Sequence, residues 1–311
     1  MKGKPQRVDL RRLSTEKANA ASIDLDRKSS LEIARIINAE DAKVATAVAH
    51  SLPQIAQTID CIAAALAKGG RLIYVGTGTS GRIAALDAAE CPPTFNTSPK
   101  LVQFIIAGGS KALAEATEAS EDSRKLGRIA IAKKKPGKND VVVGVAASGR
   151  TPFTIAAVQY ARARGAMTVA VVCNRNSPLE KAAEITIMAE VGPEVVAGST
   201  RMKAGTAQKM ILNMLTTGAM TRLGYVYGNL MVNLHLKNEK LAERGIGILE
   251  DALKIGRAEA RRLLKVARNS VPVALVMAKA GVTRVEAVRR LKTSRGHVRN
   301  ALTVKVGKGR S

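Results

Sequence analysis

The 311-residue sequence has no tryptophan and only three phenylalanines and four tyrosines. A core so poor in large rings must be built from Ala, Val, Ile, Leu and Met, which suits helices packed closely on a parallel sheet. Cysteine is scarce too: Cys61, Cys91 and Cys173 are odd in number and far apart. That excludes a disulfide framework and a cysteine zinc site, and points to a reduced, cytoplasmic protein. The three histidines, His50, His235 and His297, stand alone, outside any Ser/His/Asp or metal-ligand pattern, so zinc and histidine-based nucleophilic catalysis are disfavoured. No run approaches the roughly 18 apolar residues of a membrane span. The basic start MKGKPQRVDLRRLSTEKANA is followed by no apolar stretch, unlike a secretory signal.

Acidic residues are few: 25 against 50 Lys and Arg, a formal charge of +25. From Lys254 onward, 16 basic residues face two acids, Glu259 and Glu286, and a second basic run covers Arg124 to Lys138. Such a field attracts anions, whether a phosphorylated substrate, nucleic acid or an anionic surface. The basic residues carry no interleaved aromatics on which single-stranded bases could stack, so a nucleic-acid partner is not expected. A membrane partner is not expected either.

Residues 14–67 have helical spacing, ended by Lys68-Gly69-Gly70. Apolar runs at 71–78, 101–109, 140–149, 167–174 and 185–192 then alternate with Ala-rich helical stretches at 80–90, 110–132 and 152–164, and a long helix follows at 200–223. The pattern predicts an α/β fold, a doubly wound parallel sheet, with N-terminal helices and a small C-terminal helical domain. The expected division is a helical segment at 1–56, a ligand-binding domain at 57–220 and a helical region at 221–311. Ligands of such sheets bind beyond the carboxyl ends of the strands, which singles out the loops 76–82, 107–111, 146–152 and 174–178.

The first loop, Gly76-Thr77-Gly78-Thr79-Ser80-Gly81-Arg82, formally matches G-x-G-x-x-G. A dinucleotide would need an acid at the end of the second strand, where Ile106-Ala107-Gly108-Gly109 has none. A phosphate cradle at a helix start remains. Ala147-Ser148-Gly149-Arg150-Thr151-Pro152 repeats the device after the third strand. Glu90 precedes Cys91-Pro92-Pro93, where the prolines should stop the helix. Glu118 and Glu121 should share a helical face. Val191-Gly192-Pro193-Glu194 leads to a helix start carrying Ser199, Thr200, Arg201, Lys203, Thr206 and Gln208, which is polar for a buried entry unless something polar is bound there.

Together GTGTSGR, AASGRT and GPEVVAGST…TAQK resemble the sugar isomerase (SIS) fold family. ECPPT and GSTRMKAGTAQK are long and specific. With LIYVGTGTSGRIAALDAAECPPTF, IDLDRKSSLEIARIINAED, EASED and VGVAASGRTPF they look like the N-acetylmuramic acid 6-phosphate etherase family over roughly residues 20 to 300. The resemblance implies a lyase that takes a D-lactyl ether off a phosphosugar during cell-wall amino-sugar recycling, as a homodimer, with no cofactor and no metal. By that likeness Glu90 protonates the leaving lactate and Glu121 takes the proton from carbon 2, although the division of roles between them stays open. Thr79, Ser80, Ser148 and Thr151 would hold the phosphate. Glu194 aligns with a carboxylate used by sugar-isomerase relatives, and Lys203 and Arg201 would steer the phosphate or the lactyl carboxylate. Ala89 replaces a usual serine. The alternative is a non-catalytic, sugar-phosphate-sensing regulatory protein, which could have dispensed with Glu90 and Glu121; both are present. A transcription regulator would need a helix-turn-helix module, and the first 60 residues show no clear one.

Overall fold

Each of the five apolar runs forms a strand in the computed structural model, which describes residues 13–115, 120–234, 236 and 239–303. They are β1 (Leu72–Gly76), β2 (Val102–Ile106), β3 (Val141–Val145), β4 (Met167–Val172) and β5 (Ile185–Met188). All pair in parallel, in the order β2-β1-β3-β4-β5. The strands end sooner than the apolar runs because the chain turns out of the sheet, at positive φ on Gly78 after β1 and on Gly149 after β3. β1 and β3 are buried throughout, whereas the edge strands β2 and β5 are only partly so. The chain goes outward from β1 to β2 and returns to β3 on the other side. Their carboxyl ends therefore flank the point where the winding reverses, the usual place for a ligand.

Before the sheet, α1 (Ser30–Ala49) starts at a capping box made by Ser29 and Glu32, and α2 (Leu52–Ala67) follows. The strands are then joined by α3 (Gly78–Phe95), α4 (Arg124–Lys133), α5 (Pro152–Ala163) and α6 (Pro178–Ala182), and α7 (Lys203–Arg222) follows β5. Two expectations about these helices are corrected. The helix read over 110–132 begins only at Arg124, where the Ser123 hydroxyl accepts from Leu126 N–H; before it lie a short 3-10 turn, Gly109–Leu113, and a turn carrying Glu121. Glu118 lies outside the described residues. The helix also does not stop at Pro92. Proline lacks an N–H but keeps a helical φ, so α3 runs through both prolines, closes its last turn with Asn96 N–H on Pro92 C=O, and ends where Asn96 takes a φ of 56°.

The chain divides into two compact units, Met1–Ala88 with Lys100–Thr216, and Ala89–Pro99 with Thr217–Ser311. The first contains the sheet. One face of the sheet packs Ile73, Val75 and Val142 with Ile131 and Phe153; elsewhere Ala170 and Val172 meet Val158 and Leu179. α4 lies directly on the start of α5 because Gly127 leaves room: a Cβ there would stand 2.1 Å from the Phe153 carbonyl oxygen. The second unit is helical, with α8 (Glu239–Leu253), α9 (Arg257–Val266), α10 (Val271–Ala280), α11 (Arg284–Thr293) and α12 (Val298–Thr303) around Leu249, Leu264, Leu275 and Val276. His297 is half-buried against Gly224, and burial lowers its pKa; His235 lies outside the described residues. Among the described residues no helix is long and apolar enough to cross a membrane.

Candidate functional site

The β1–α3 loop is compressed onto the sheet. Gly81 lies against Ile106, with room for no side chain, and its N–H bonds to Thr77 C=O as the first helical bond of α3. The N–H groups of Gly78, Thr79 and Ser80 precede that bond and sit at the positive end of the helix. Thr79 and Ser80 are half-buried. Glu121 comes to this loop from the β2–α4 connection: a Cβ built on Gly78 would stand 3.2 Å from Glu121 Oε1. Two contacts fix the connection. The Arg82 guanidinium donates to the carbonyls of Leu113 and Glu115, and Phe153 N–H donates to the carbonyl of Glu121 at 3.0 Å.

The β3–α5 loop is tied down at each end. Ala147 C=O accepts from Cys173 N–H at 2.9 Å and from the Asn174 amide at 3.2 Å, while Gly149 C=O accepts from Leu179 N–H at 3.0 Å. Ser148 and Thr151 are half-buried in it. Thr151 stands at the start of α5 without making a side-chain cap, and Pro152 occupies the first turn.

Lys203 opens α7, Glu194 lies in the connection between β5 and α7, and both are fully buried, at 1% and 0% exposed. Glu194 accepts from the N–H groups of Lys203 and Ala204, each at 2.9 Å, so its carboxylate caps α7. Burial pushes its pKa up against those two bonds. The Lys203 ammonium does not reach outward; it pairs with Glu40 of α1 at 2.6 Å. Glu40 also binds Lys43 and accepts from Asn19, whose amide donates in addition to Pro193 C=O at 3.0 Å. Although burial opposes it, these donors draw the Glu40 pKa down to about 2. Asn19 and Glu40 were not singled out from the sequence. The signal for Glu40 was available, since it shares a helical stripe with the buried Val44 and Val48. A second buried carboxylate, Asp87 on α3, was missed as well. It accepts from Tyr74, Asn213 and Thr216, and burial raises its pKa.

The structure thus brings Glu121, Thr79 and Ser80 together through the β1–α3 loop. Ser148 and Thr151 stand on the loop after the neighbouring strand β3, and Gly205 of α7 faces the Thr79 methyl. Glu90 is exposed on α3, in the stretch that belongs to the second unit. Cys91 and Cys173 are buried, and burial pushes the Cys173 thiol up to about 12, which makes it a packing group.

Residues 54–162 match the family model of the glucokinase regulatory protein N-terminal SIS domain, and residues 133–218 match that of the SIS domain. An N-acetylmuramic acid 6-phosphate etherase of Aeromonas hydrophila is 51% identical over 291 residues, which is 94% of this chain and 98% of its own length. One from Clostridium beijerinckii is 49% identical over 295 residues, 95% of this chain and 97% of its own. N-acetylmuramic acid 6-phosphate etherase 2 of Vibrio parahaemolyticus is 48% identical, covering 95% of this chain and 99% of its own. Among solved structures, a phosphoheptose isomerase from Francisella tularensis aligns with 62% of this chain and 100% of its own, at 18% identity and a TM-score of 0.49.

Proposed function

We propose, because this chain belongs to the N-acetylmuramic acid 6-phosphate etherase family, that it removes the D-lactyl ether from carbon 3 of N-acetylmuramic acid 6-phosphate. The products are N-acetylglucosamine 6-phosphate and D-lactate, and the setting is the recycling of cell-wall amino sugars. The observation that carries the reading is the Glu121 carboxylate beside Gly78, at the mouth of the loop that would hold the phosphate.

Ring opening exposes an aldehyde at carbon 1, which acidifies the proton on carbon 2. Glu121 takes that proton as the base. The electron pair forms the carbon 2–carbon 3 double bond, the carbon 3–oxygen bond breaks, and Glu90 protonates the departing lactate oxygen. Water then adds at carbon 3 while carbon 2 regains a proton, so the net reaction consumes one water. The N–H groups at the start of α3 and the hydroxyls of Thr79, Ser80, Ser148 and Thr151 hold the phosphate. Glu194 and Lys203 serve the substrate site through the first turn of α7, which both side chains hold. The scheme uses no cofactor and no metal.

The remaining elements of the reading are a phosphosugar-binding domain at 57–220 flanked by the segments 1–56 and 221–311, a cytoplasmic location and a homodimer. The test is incubation with N-acetylmuramic acid 6-phosphate and measurement of D-lactate, with Glu90→Ala and Glu121→Ala alongside. Lactate from the wild type and little from either variant supports the etherase and its two carboxylates. A folded wild type that binds the sugar phosphate but releases no lactate replaces the enzyme with a sugar-phosphate-sensing regulatory protein.

A further inference from the structure

We propose that Arg150 is a binding residue for the substrate phosphate, acting beside the hydroxyls of Ser148 and Thr151; the assignment rests on the phosphosugar reading above. Arg150 sits between these two residues in the β3–α5 loop, and its backbone N–H bonds to Ser148 Oγ at 3.3 Å. With Ala147 and Gly149 both held by the β4–α6 connection, the backbone from which the side chain departs is fixed.

Its side chain is half-buried, and its Nε is buried with no hydrogen-bond partner. Among the described residues no carboxylate pairs with its guanidinium. Two other shielded arginines are matched by carboxylates: Arg71 meets Asp140 at 2.6 Å, and Arg290 meets Glu286 at 2.9 Å. A charged donor taken out of water without an acceptor is costly, and proteins rarely leave one so. The position adds a second cost. Arg150 stands two residues before Pro152, at the positive end of α5, where a cation is disfavoured.

An oxyanion seated in the loop removes both costs, because it accepts from the guanidinium and opposes the helix dipole. Of the two expected cations, Lys203 is occupied by Glu40, and Arg201 is exposed in the turn before α7. Of the two arginines on the phosphate loops, Arg82 is spent on the carbonyls of Leu113 and Glu115, whereas Arg150 has no acceptor for its buried Nε. Of the substrate's two anions, the phosphate is the one recognised by the flanking hydroxyls. A guanidinium fork also matches two phosphate oxygens at once.

The test compares wild type, Arg150→Lys and Arg150→Gln, with thermal melts to confirm folding. Three quantities are measured: KM and kcat for D-lactate release, inhibition by N-acetylglucosamine 6-phosphate, which keeps the phosphate and lacks the lactyl carboxylate, and inhibition by inorganic phosphate. Arg150→Gln should raise KM roughly 10- to 100-fold, the loss expected for one charged donor, with kcat nearly unchanged. Both inhibition constants should rise by a similar factor. Arg150→Lys should recover part of the loss, and it carries the test if the glutamine variant does not fold. Unchanged KM and inhibition constants overturn the proposal. So does a raised KM with unchanged inhibition by N-acetylglucosamine 6-phosphate, which would move Arg150 to the lactyl carboxylate. If the wild type releases no lactate, the etherase reading fails by itself; calorimetric binding of N-acetylglucosamine 6-phosphate, weakened or not by Arg150→Gln, still decides the role of Arg150.

Discussion

The carboxylate of Glu121 packs directly against Gly78, so closely that a methyl group on the glycine would stand 3.2 Å from Glu121 Oε1. Gly78 also has a φ of 49°, where a side chain costs roughly 1–2 kcal/mol. Gly78→Ala should therefore lower the melting temperature modestly and displace Glu121. With displacements near 1 Å able to cost about 100-fold in rate, kcat for lactate release should fall far more than stability does. A variant that melts lower but turns over like the wild type would separate Glu121 from the chemistry.

Gly127→Ala acts on the same carboxylate from behind. Its methyl would meet the Phe153 carbonyl at 2.1 Å, and that atom is backbone, so α4 must move away from α5. The bond from Phe153 N–H to Glu121 C=O is then strained. Overpacking of this kind typically costs about 1–3 kcal/mol. Chemical denaturation should show the loss, and lactate release should drop with it even at temperatures where the variant is folded.

The buried pair of Glu40 and Lys203 makes acid stability testable. The folded protein holds the Glu40 pKa down to about 2, below the ordinary carboxylate range. A depressed carboxylate stabilises the fold above its unfolded pKa, and that contribution is lost as pH falls toward the folded value. Glu40→Gln leaves Lys203 buried without a counter-charge and should cost about 3–5 kcal/mol near neutrality. The gap between variant and wild type should narrow as pH falls from about 4.5 toward 2. Urea titrations at several pH values measure it, and a constant gap would contradict the assignment.

Glu90 should behave in the opposite way to Glu40. It is exposed, so Glu90→Gln should change stability by no more than about 0.5 kcal/mol. Its lactate release should nonetheless be nearly abolished. A stable variant that retains most of its activity would remove Glu90 from the reaction.

The sheet was legible because its strands are continuous apolar runs closed by glycines, and the two Ser/Thr loops were legible because they follow such runs. The helix over 110–132 was misread because Ala-rich composition supports helix locally, whereas the turn carrying Glu121 depends on distant partners: Arg82 holding the carbonyls of Leu113 and Glu115, and Phe153 holding that of Glu121. The prolines of ECPPT were read as a stop because local rules give them no helical bond to make, yet their φ fits the last turn of α3. The pairing of Glu40 with Lys203 spans 163 positions, beyond the reach of any spacing argument. Only the stripe shared with Val44 and Val48 hinted that Glu40 is buried.

Of the helices that follow a strand, three carry their own closure at the N-terminus: Ser123 on α4, Ser177 with Glu180 on α6, and Glu194 on α7. Thr151 makes no such closure on α5. A carboxylate that the chain supplies itself cannot be displaced by dilution, so Glu194 works as a permanent tenant in a berth that would otherwise suit free phosphate. Vacating it should have two effects at once. α7 would lose its anchor, and the N–H groups of Lys203 and Ala204 would stand without the acceptor that Glu194 now supplies.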